Sequence, residues 1–151
     1  MTVRVQREDF DLAAEQSALT ADNPAVGGLC SFVGLVRDMN PQGGVSAMTL
    51  EHYPGMTEKM LAEIEAEAQS RWPLEASLII HRYGRLEPGD QIVLVAAASA
   101  HRQAAFEACH FLIDWLKTKA PFWKVEEDGS GQESWVEARA SDNSAAARWG
   151  K

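Results

Sequence analysis

Basic residues gather at the two ends of one predicted helix in an otherwise acidic chain. His101 and Arg102 stand where a strand passes into this helix, and Lys117, Lys119 and Lys124 follow at its C-terminal end. The chain of 151 residues has a formal net charge of -8, so a local concentration of cations needs a reason. Such a group can bind an anion, and a lysine within it can act as an acid, a base or a nucleophile.

The lysines have two interpretations at this level. A lysine in the last turn of a helix stabilises the negative end of the helix dipole by roughly 0.3–1 kcal/mol, which explains Lys117 without any function. However, Lys119 and Lys124 lie close by in the sequence, and aromatic residues stand between them. Repulsion between the lysines and a low local dielectric disfavour the ammonium form of Lys117, which favours a chemical role.

Three further cations could bind an anion. Arg37 ends a predicted strand that is otherwise apolar, where a plain surface charge is the ordinary explanation. His101 and Arg102 fall at a helix N-terminus, whose free backbone N–H groups favour anions. A cation at that position opposes the helix dipole unless a negative group joins it. The arrangement therefore indicates a phosphate or carboxylate site.

Hydrophobic periodicity predicts the elements that must position these residues. Helices are expected over residues 10–21, 56–72 and 102–118. Strands are expected over residues 2–6, 28–37, 46–53, 75–83, 91–99, 122–126 and 134–138. This order predicts an α+β fold, a single-domain sandwich of helices on a largely antiparallel sheet, spanning residues 1–151.

Several details of packing also follow from the pattern. Strand 28–37 is apolar on both faces, which predicts a central position in the sheet. Phe106 is expected in the buried stripe of helix 102–118. His52 and His81 lie in predicted strands without metal-ligand spacing and are interpreted as structural. Four glutamates of helix 56–72 are expected to face water: Glu58, Glu63, Glu65 and Glu67.

Composition excludes several classes of protein. A sequence pI near 4.9 argues against general nucleic-acid binding. No apolar run approaches the roughly 20 residues of a membrane span, and the N-terminus lacks the apolar core of a signal peptide, so a cytoplasmic location is predicted. Cys30 and Cys109 belong to no metal-ligand pattern and are expected to be small buried hydrophobes. No metal or other cofactor is expected.

Five stretches of the chain resemble the catalytic (large) subunit of molybdopterin synthase. They are Phe-Val-Gly-Leu-Val-Arg at 32–37, Leu-Glu-His-Tyr-Pro-Gly-Met-Thr-Glu-Lys at 50–59, Ser-Ala-His-Arg at 99–102, Leu-Lys-Thr-Lys-Ala-Pro-Phe-Trp-Lys at 116–124 and Trp-Val-Glu-Ala-Arg at 135–139. The fourth stretch is highly specific, whereas His-Arg alone is weak. Residues 1–26 carry little of the resemblance.

The resemblance implies a reaction and its partners. Cyclic pyranopterin monophosphate receives two sulfur atoms at adjacent side-chain carbons, which gives the dithiolene of molybdopterin and opens the cyclic phosphate. The sulfur arrives as a thiocarboxylate on the C-terminal Gly-Gly of a small ubiquitin-like subunit. Two large subunits form a homodimer, and one small subunit binds at each end to give a heterotetramer.

The resemblance also implies roles for residues of this chain. Lys117 and Lys124 correspond to the catalytic lysines. The expected substrate-binding residues are Arg37, His101 and Arg102, with Lys119 and Arg139 as weaker candidates. Because the family's pocket takes groups from the neighbouring subunit, some of these residues are expected to act across the dimer.

Two other functions compete with this one. A non-catalytic α+β module could bind a ubiquitin-like partner or an anionic metabolite, and it would tolerate the loss of either lysine. A phosphate-ester hydrolase using His101 would need a carboxylate to orient the imidazole or a metal cluster, and the sequence shows neither. The joint presence of Lys117, Lys124 and Arg37 favours the synthase.

Overall fold

The computed structural model describes residues 2–38, 47–127, 133–136 and 146–150. Its elements, numbered in chain order, are β1 (Val3–Gln6), α1 (Leu12–Thr20), β2 (Gly28–Leu35), β3 (Ala47–His52), α2 (Met56–Arg71), β4 (Leu74–Arg82), β5 (Gly84–Leu86), β6 (Gln91–Ser99), α3 (Arg102–Lys119), β7 (Phe122–Glu127) and β8 (Glu133–Val136). None of the helices in this part of the chain is both long and apolar enough to cross a membrane.

The predicted α+β fold is confirmed, but the strands form two sheets where one was expected. The first sheet has the order β1-β4-β6-β2, in which β1 and β4 are parallel and the other neighbours antiparallel. The second sheet, β5-β3-β7-β8, is antiparallel throughout. The unpredicted strand β5 contributes to the division, because the chain leaves the first sheet after β4, pairs with β3 and returns as β6.

Helices cover both faces of the first sheet. On one face α2 and α3 pack on the alternate strand residues Ile79, Val93 and Val95. On the other face α1 lies against β4 and β6, where Ile80 and Leu94 are buried. A strand that is buried on both faces has a continuous run of apolar residues. For this reason apolar and polar residues do not alternate along β4 and β6.

The prediction that the strand beginning at Gly28 is central is wrong for the sheet that the structure describes. The strand, β2, lies at the edge of the first sheet and pairs with β6 alone among the described strands. Phe32 and Leu35 are exposed on it. An apolar sequence does not report whether a neighbouring strand lies on each side. It does not establish covered faces either, because none of the residues of β2 is fully buried.

Two expected helix faces also need correction. Glu65 does not face water: it is only 6% exposed, and its carboxylate accepts hydrogen bonds from Thr2 Oγ1 and Ser77 Oγ, both at 2.7 Å. Phe106, expected to be buried, is 61% exposed. Because α2 packs against both α3 and the first sheet, its buried face is wider than a single apolar stripe and includes Glu65.

Glu65 should make the stability of the fold depend on pH. Burial raises the pKa of this carboxyl, and the hydrogen bonds from Ser77 and Thr2 oppose the rise. A folded-state pKa above the unfolded value stabilises the fold below the unfolded pKa, and this stabilisation is lost as pH rises through the folded pKa. Glutamine at this position cannot ionise. We therefore expect the free energy of unfolding of Glu65→Gln to be higher than that of the wild type at neutral pH.

Denaturant unfolding at several pH values measures this effect. The advantage of Glu65→Gln over wild type should shrink as the pH falls below the usual range of a glutamate. In the matched variant Glu65→Ala, Thr2 and Ser77 lose their acceptor, so its unfolding free energy should fall by about 1–3 kcal/mol. An advantage of the glutamine variant that stays constant from acid to neutral pH would contradict the assignment.

Candidate functional site

The junction between α3 and β7 brings the two predicted catalytic lysines to one region. Lys117 lies in the last turn of α3, which ends where the Ala120 N–H donates to the carbonyl of Leu116 at 3.4 Å. The chain then continues as β7, which pairs with β3 so that Lys124 lies opposite Leu50. Because side chains alternate along a strand, Phe122 and Lys124 project from the same face of β7.

The N-terminus of α2 holds this junction in place through a buried hydroxyl. Thr57 is 0% exposed, and its Oγ1 donates to the carbonyl of Pro121 at 3.2 Å. The same hydroxyl accepts from the N–H of Tyr53 at 3.0 Å. The sequence pattern predicts no role for Thr57, although this residue lies in the stretch 50–59 that carries the resemblance. It supports the site and does not take part in its chemistry.

A buried imidazole packs against the face of β7 that carries Lys124. His81 of β4 is only 4% exposed, and its ring stacks on that of Phe122 with centroids 3.7 Å apart and planes 18° apart. Burial, helped by the nearby charges of Lys117, Lys124 and His52, lowers the pKa of His81 to about 3, although the hydrogen bond to the Arg82 backbone opposes this shift. Both lysine side chains therefore lie close enough to His81 to act on it electrostatically.

The structural interpretation of the two strand histidines is therefore incomplete. His81 packs as a core residue, but it does so beside the lysine site. The ring of His52 is tilted by 45° to that of Tyr83, with centroids 4.4 Å apart, and its centroid lies 6.3 Å from that of Phe122. A signal was available in the sequence, because His81 is a titratable residue that directly follows the apolar run Leu-Ile-Ile of β4.

Lys119 occupies a different position from Lys117. Two residues along a helix turn the side chain through about 200°, so the two lysines leave α3 in nearly opposite directions. The ammonium of Lys119 lies 4.6 Å from the centre of the Trp115 ring, and the guanidinium of Arg71 lies 5.0 Å from the same ring. In the structure, Lys119 therefore makes a cation–π contact with Trp115.

Replacing Lys119 with alanine should therefore affect stability. Loss of a cation–π contact at an exposed position costs about 0.5–1 kcal/mol, and we expect the free energy of unfolding of Lys119→Ala to fall by that amount. Denaturant titration with Lys59→Ala, an exposed lysine of α2, as the control measures the difference. Unchanged stability together with weaker substrate binding would instead support the substrate-binding role expected for Lys119.

Arg37 lies at the same end of the first sheet as the lysine site. It follows β2, where the Val36 N–H donates to the carbonyl of Asp90 at 2.8 Å. Asp90 directly precedes β6, and α3 packs on β6 after the chain has reversed direction. The C-terminal end of α3 therefore returns to the end of the sheet where Arg37 is exposed.

His101 and Arg102 lie at the opposite end of α3. Arg102 and Lys117 are fifteen positions apart in one continuous helix, which is about 22 Å at 1.5 Å per residue. The start of β2 lies so close to the N-terminal end of α3 that it requires glycine. A Cβ on Gly27 would lie 2.0 Å from the carbonyl oxygen of Ala100, and a Cβ on Gly28 would lie 3.3 Å from the Cα of Arg102. Within a single chain, His101 and Arg102 do not join the lysines.

The remaining residues considered for the site are Arg139 and the two cysteines. Arg139, expected as a weaker substrate-binding residue, lies outside the residues that the structure describes. Cys109 is buried, as expected, and Cys30 is half-buried; both are free thiols. Burial and the neighbouring Cys30 raise the pKa of the Cys109 thiol. Cys109 is therefore a poor nucleophile at neutral pH, which disfavours it as a carrier of sulfur.

Most of the chain matches the model of a known protein family. The model of the family described as MoaE protein matches residues 5–119, which include both ends of α3. The chain belongs to the MoaE protein family.

Individual relatives extend the match over nearly the whole chain. A protein of Ralstonia nicotianae is 58% identical over 99% of this chain and 84% of its own length, and one of Pseudomonas aeruginosa is 57% identical over 99% of both. Both are called molybdopterin synthase catalytic subunit. A solved structure described as the molybdopterin biosynthesis MoaE protein from Burkholderia ambifaria is 56% identical, with a TM-score of 0.85 over 99% of this chain and 98% of that one.

Proposed function

We propose that this chain is the catalytic subunit of a molybdopterin synthase and converts cyclic pyranopterin monophosphate to molybdopterin. The observation that carries the proposal is the placement of Lys117 and Lys124 around the α3–β7 junction, in a chain 57–58% identical to proteins of that name. Two sulfur atoms are transferred to adjacent carbons of the pterin side chain. The C–S bond of each donating thiocarboxylate breaks by hydrolysis, so that water supplies the oxygen of the carboxylate that is left, and the cyclic phosphate opens.

The charges of the site suit both reactants. The substrate phosphate and the thiocarboxylate are anions, and a group of fixed cations binds and orients such ligands through charge-assisted hydrogen bonds. We assign Lys117 to the terminal carbonyl of the sulfur carrier, where it acts in acid–base or electrostatic stabilisation. Lys124 assists proton transfer or stabilises charge that develops near the pterin. Arg37 is exposed at the same end of the sheet and binds substrate.

The sulfur carrier is a separate small subunit. Relatives are called a catalytic subunit, which implies at least one further subunit. We propose a ubiquitin-like protein whose C-terminal Gly-Gly carries the thiocarboxylate, because Cys30 and Cys109 are free thiols poorly placed to carry sulfur. Free thiols also suit a reducing compartment, which supports a cytoplasmic location.

The complete pocket requires a second copy of the chain. His101 and Arg102 lie about 22 Å along α3 from Lys117, so one chain cannot place all of them on one substrate. Two copies in a homodimer could each supply one end of α3. The exposed apolar residues of β2, Phe32 and Leu35, together with Phe106 of α3, support an interface at that edge. A single-domain chain of this kind would form the centre of a heterotetramer.

A conversion assay tests the proposal. The purified chain is mixed with a thiocarboxylated ubiquitin-like partner and cyclic pyranopterin monophosphate, and the pterin is followed by mass spectrometry. We expect a product that gains two sulfur atoms, and no product when the partner ends in an ordinary carboxylate. Tight binding of the partner with an unchanged pterin would instead support a non-catalytic binding module.

A further inference from the structure

The proposed reaction leaves one buried titratable residue at the site without a role. His81 of β4 faces charged or titratable groups from three other elements: Lys117 on α3, Lys124 on β7 and His52 on β3. An imidazolium at this position would add a third cation to two lysines in a place that water does not reach. His81 is therefore held as a neutral imidazole.

The hydrogen bonding of His81 determines which of its nitrogens carries the proton. Nδ1 lies 2.8 Å from the carbonyl oxygen of Arg82, which can only accept a hydrogen bond. Nδ1 is therefore the N–H donor of the neutral ring, and Nε2 keeps its lone pair. A lysine ammonium has three donors and no acceptor, so an uncharged ring with an acceptor nitrogen is a suitable neighbour for it.

The packing of His81 gives its ring one orientation. The stack on Phe122, with planes 18° apart, determines the plane of the imidazole, and the bond to the Arg82 carbonyl determines its rotation within that plane. Phe122 and Lys124 project from the same face of β7, so the strand that holds the ring also carries one of the lysines. An acceptor held in this way can orient a long, flexible ammonium side chain.

We propose that His81 is a positioning residue for the lysine site: a buried, neutral imidazole, fixed by Phe122 and the Arg82 carbonyl, whose Nε2 accepts a hydrogen bond from a site lysine and so orients that lysine. The proposal deepens the proposed function and rests on it. His81 touches neither the pterin nor the thiocarboxylate, and it acts through Lys117 or Lys124.

Nuclear magnetic resonance of the imidazole nitrogens tests the hydrogen bond without any substrate. In the wild-type chain we expect one protonated nitrogen, Nδ1, and one unprotonated nitrogen, Nε2, whose lone pair accepts the hydrogen bond from a site lysine. The Nε2 resonance should shift in Lys117→Ala or in Lys124→Ala and stay in place in the control Lys59→Ala. A proton on Nε2, or a resonance that neither site-lysine variant moves, would overturn the proposal.

A matched pair of variants tests the consequence for turnover. In His81→Asn the amide N–H takes the place of Nδ1 and keeps the bond to the Arg82 carbonyl, but no acceptor replaces Nε2. In His81→Gln the amide oxygen can reach the position of Nε2. Since misplacing a catalytic group by about 1 Å costs about 100-fold in rate, we expect kcat of the asparagine variant to fall about 100-fold with little change in KM.

The glutamine variant should recover part of that loss. Equal losses in the two variants, or wild-type kcat in His81→Asn, would overturn the positioning role, provided that denaturant unfolding shows both variants folded. If the wild-type chain itself leaves the pterin unchanged, the proposed function fails. The resonance experiment then still decides whether His81 orients a site lysine.

Discussion

Replacing Lys117 with alanine should abolish formation of the dithiolene product. Lys117 lies at the C-terminal end of α3, beside His81 and on the same side of the molecule as Lys124. Removing a group that stabilises developing charge lowers kcat by about 10²–10³-fold, and the loss of an acid–base role adds to this. The folded chain should persist, because the contribution of one lysine to a helix C-terminus is about 0.3–1 kcal/mol.

Three measurements separate catalysis from structure in this variant. Mass spectrometry follows the pterin, denaturant unfolding measures stability, and co-migration with the small subunit in gel filtration measures partner binding. Lys117→Arg keeps the charge but is a far weaker acid, so activity in this variant would indicate electrostatic stabilisation alone. Lys59→Ala, on the exposed side of α2, serves as the control. Turnover by Lys117→Ala at the wild-type rate would remove Lys117 from the mechanism.

Two variants that are each impaired in turnover should restore activity to each other when they form mixed dimers. Arg102→Ala and Lys117→Ala change opposite ends of α3, about 22 Å apart along the helix. If each pocket combines the lysine end of one chain with the arginine end of its partner, a mixed dimer contains one intact pocket. Random reassociation of equal amounts should restore about one quarter of the wild-type number of pockets.

The substrate concentration matters in this experiment. Arg102→Ala is expected to weaken substrate binding, so the assay is run well below its KM, where that variant alone turns over slowly. The mixed sample should exceed the sum of the two separate variants after dissociation and reassociation. As a control, mixing Lys117→Ala with Lys124→Ala should restore nothing, because both changes fall at the same end. Absence of restoration in the first mixture would contradict the cross-subunit pocket.

Local sequence determined the bounds of most elements. Helix α3 was predicted over residues 102–118 and spans Arg102–Lys119, and β6 has the predicted bounds, Gln91–Ser99. Proline explains the end of α3, since the residue before a proline avoids the helical region. The sequence also located the cations at the two ends of α3, because periodicity within one helix is a short-range property.

The tertiary structure alone decided how these pieces meet. The burial of Glu65, the edge position of β2 and the stacking of His81 on Phe122 depend on residues distant in the sequence. The charge pattern grouped Lys117 with Lys119, whereas the turn of the helix separates them.

The same limit applies to the site. An apolar or charged sequence pattern predicts the kind of environment in which a side chain lies. It does not predict which residues form that environment, because many different residues can. The length of α3, which the sequence predicts, already separates His101 and Arg102 from Lys117 within one chain. Only the tertiary structure shows that Lys117 and Lys124 lie close to His81. The sequence therefore determined which residues could do the chemistry, and the tertiary structure decided which of them can do it together, because contacts between distant segments have no signature in a local pattern.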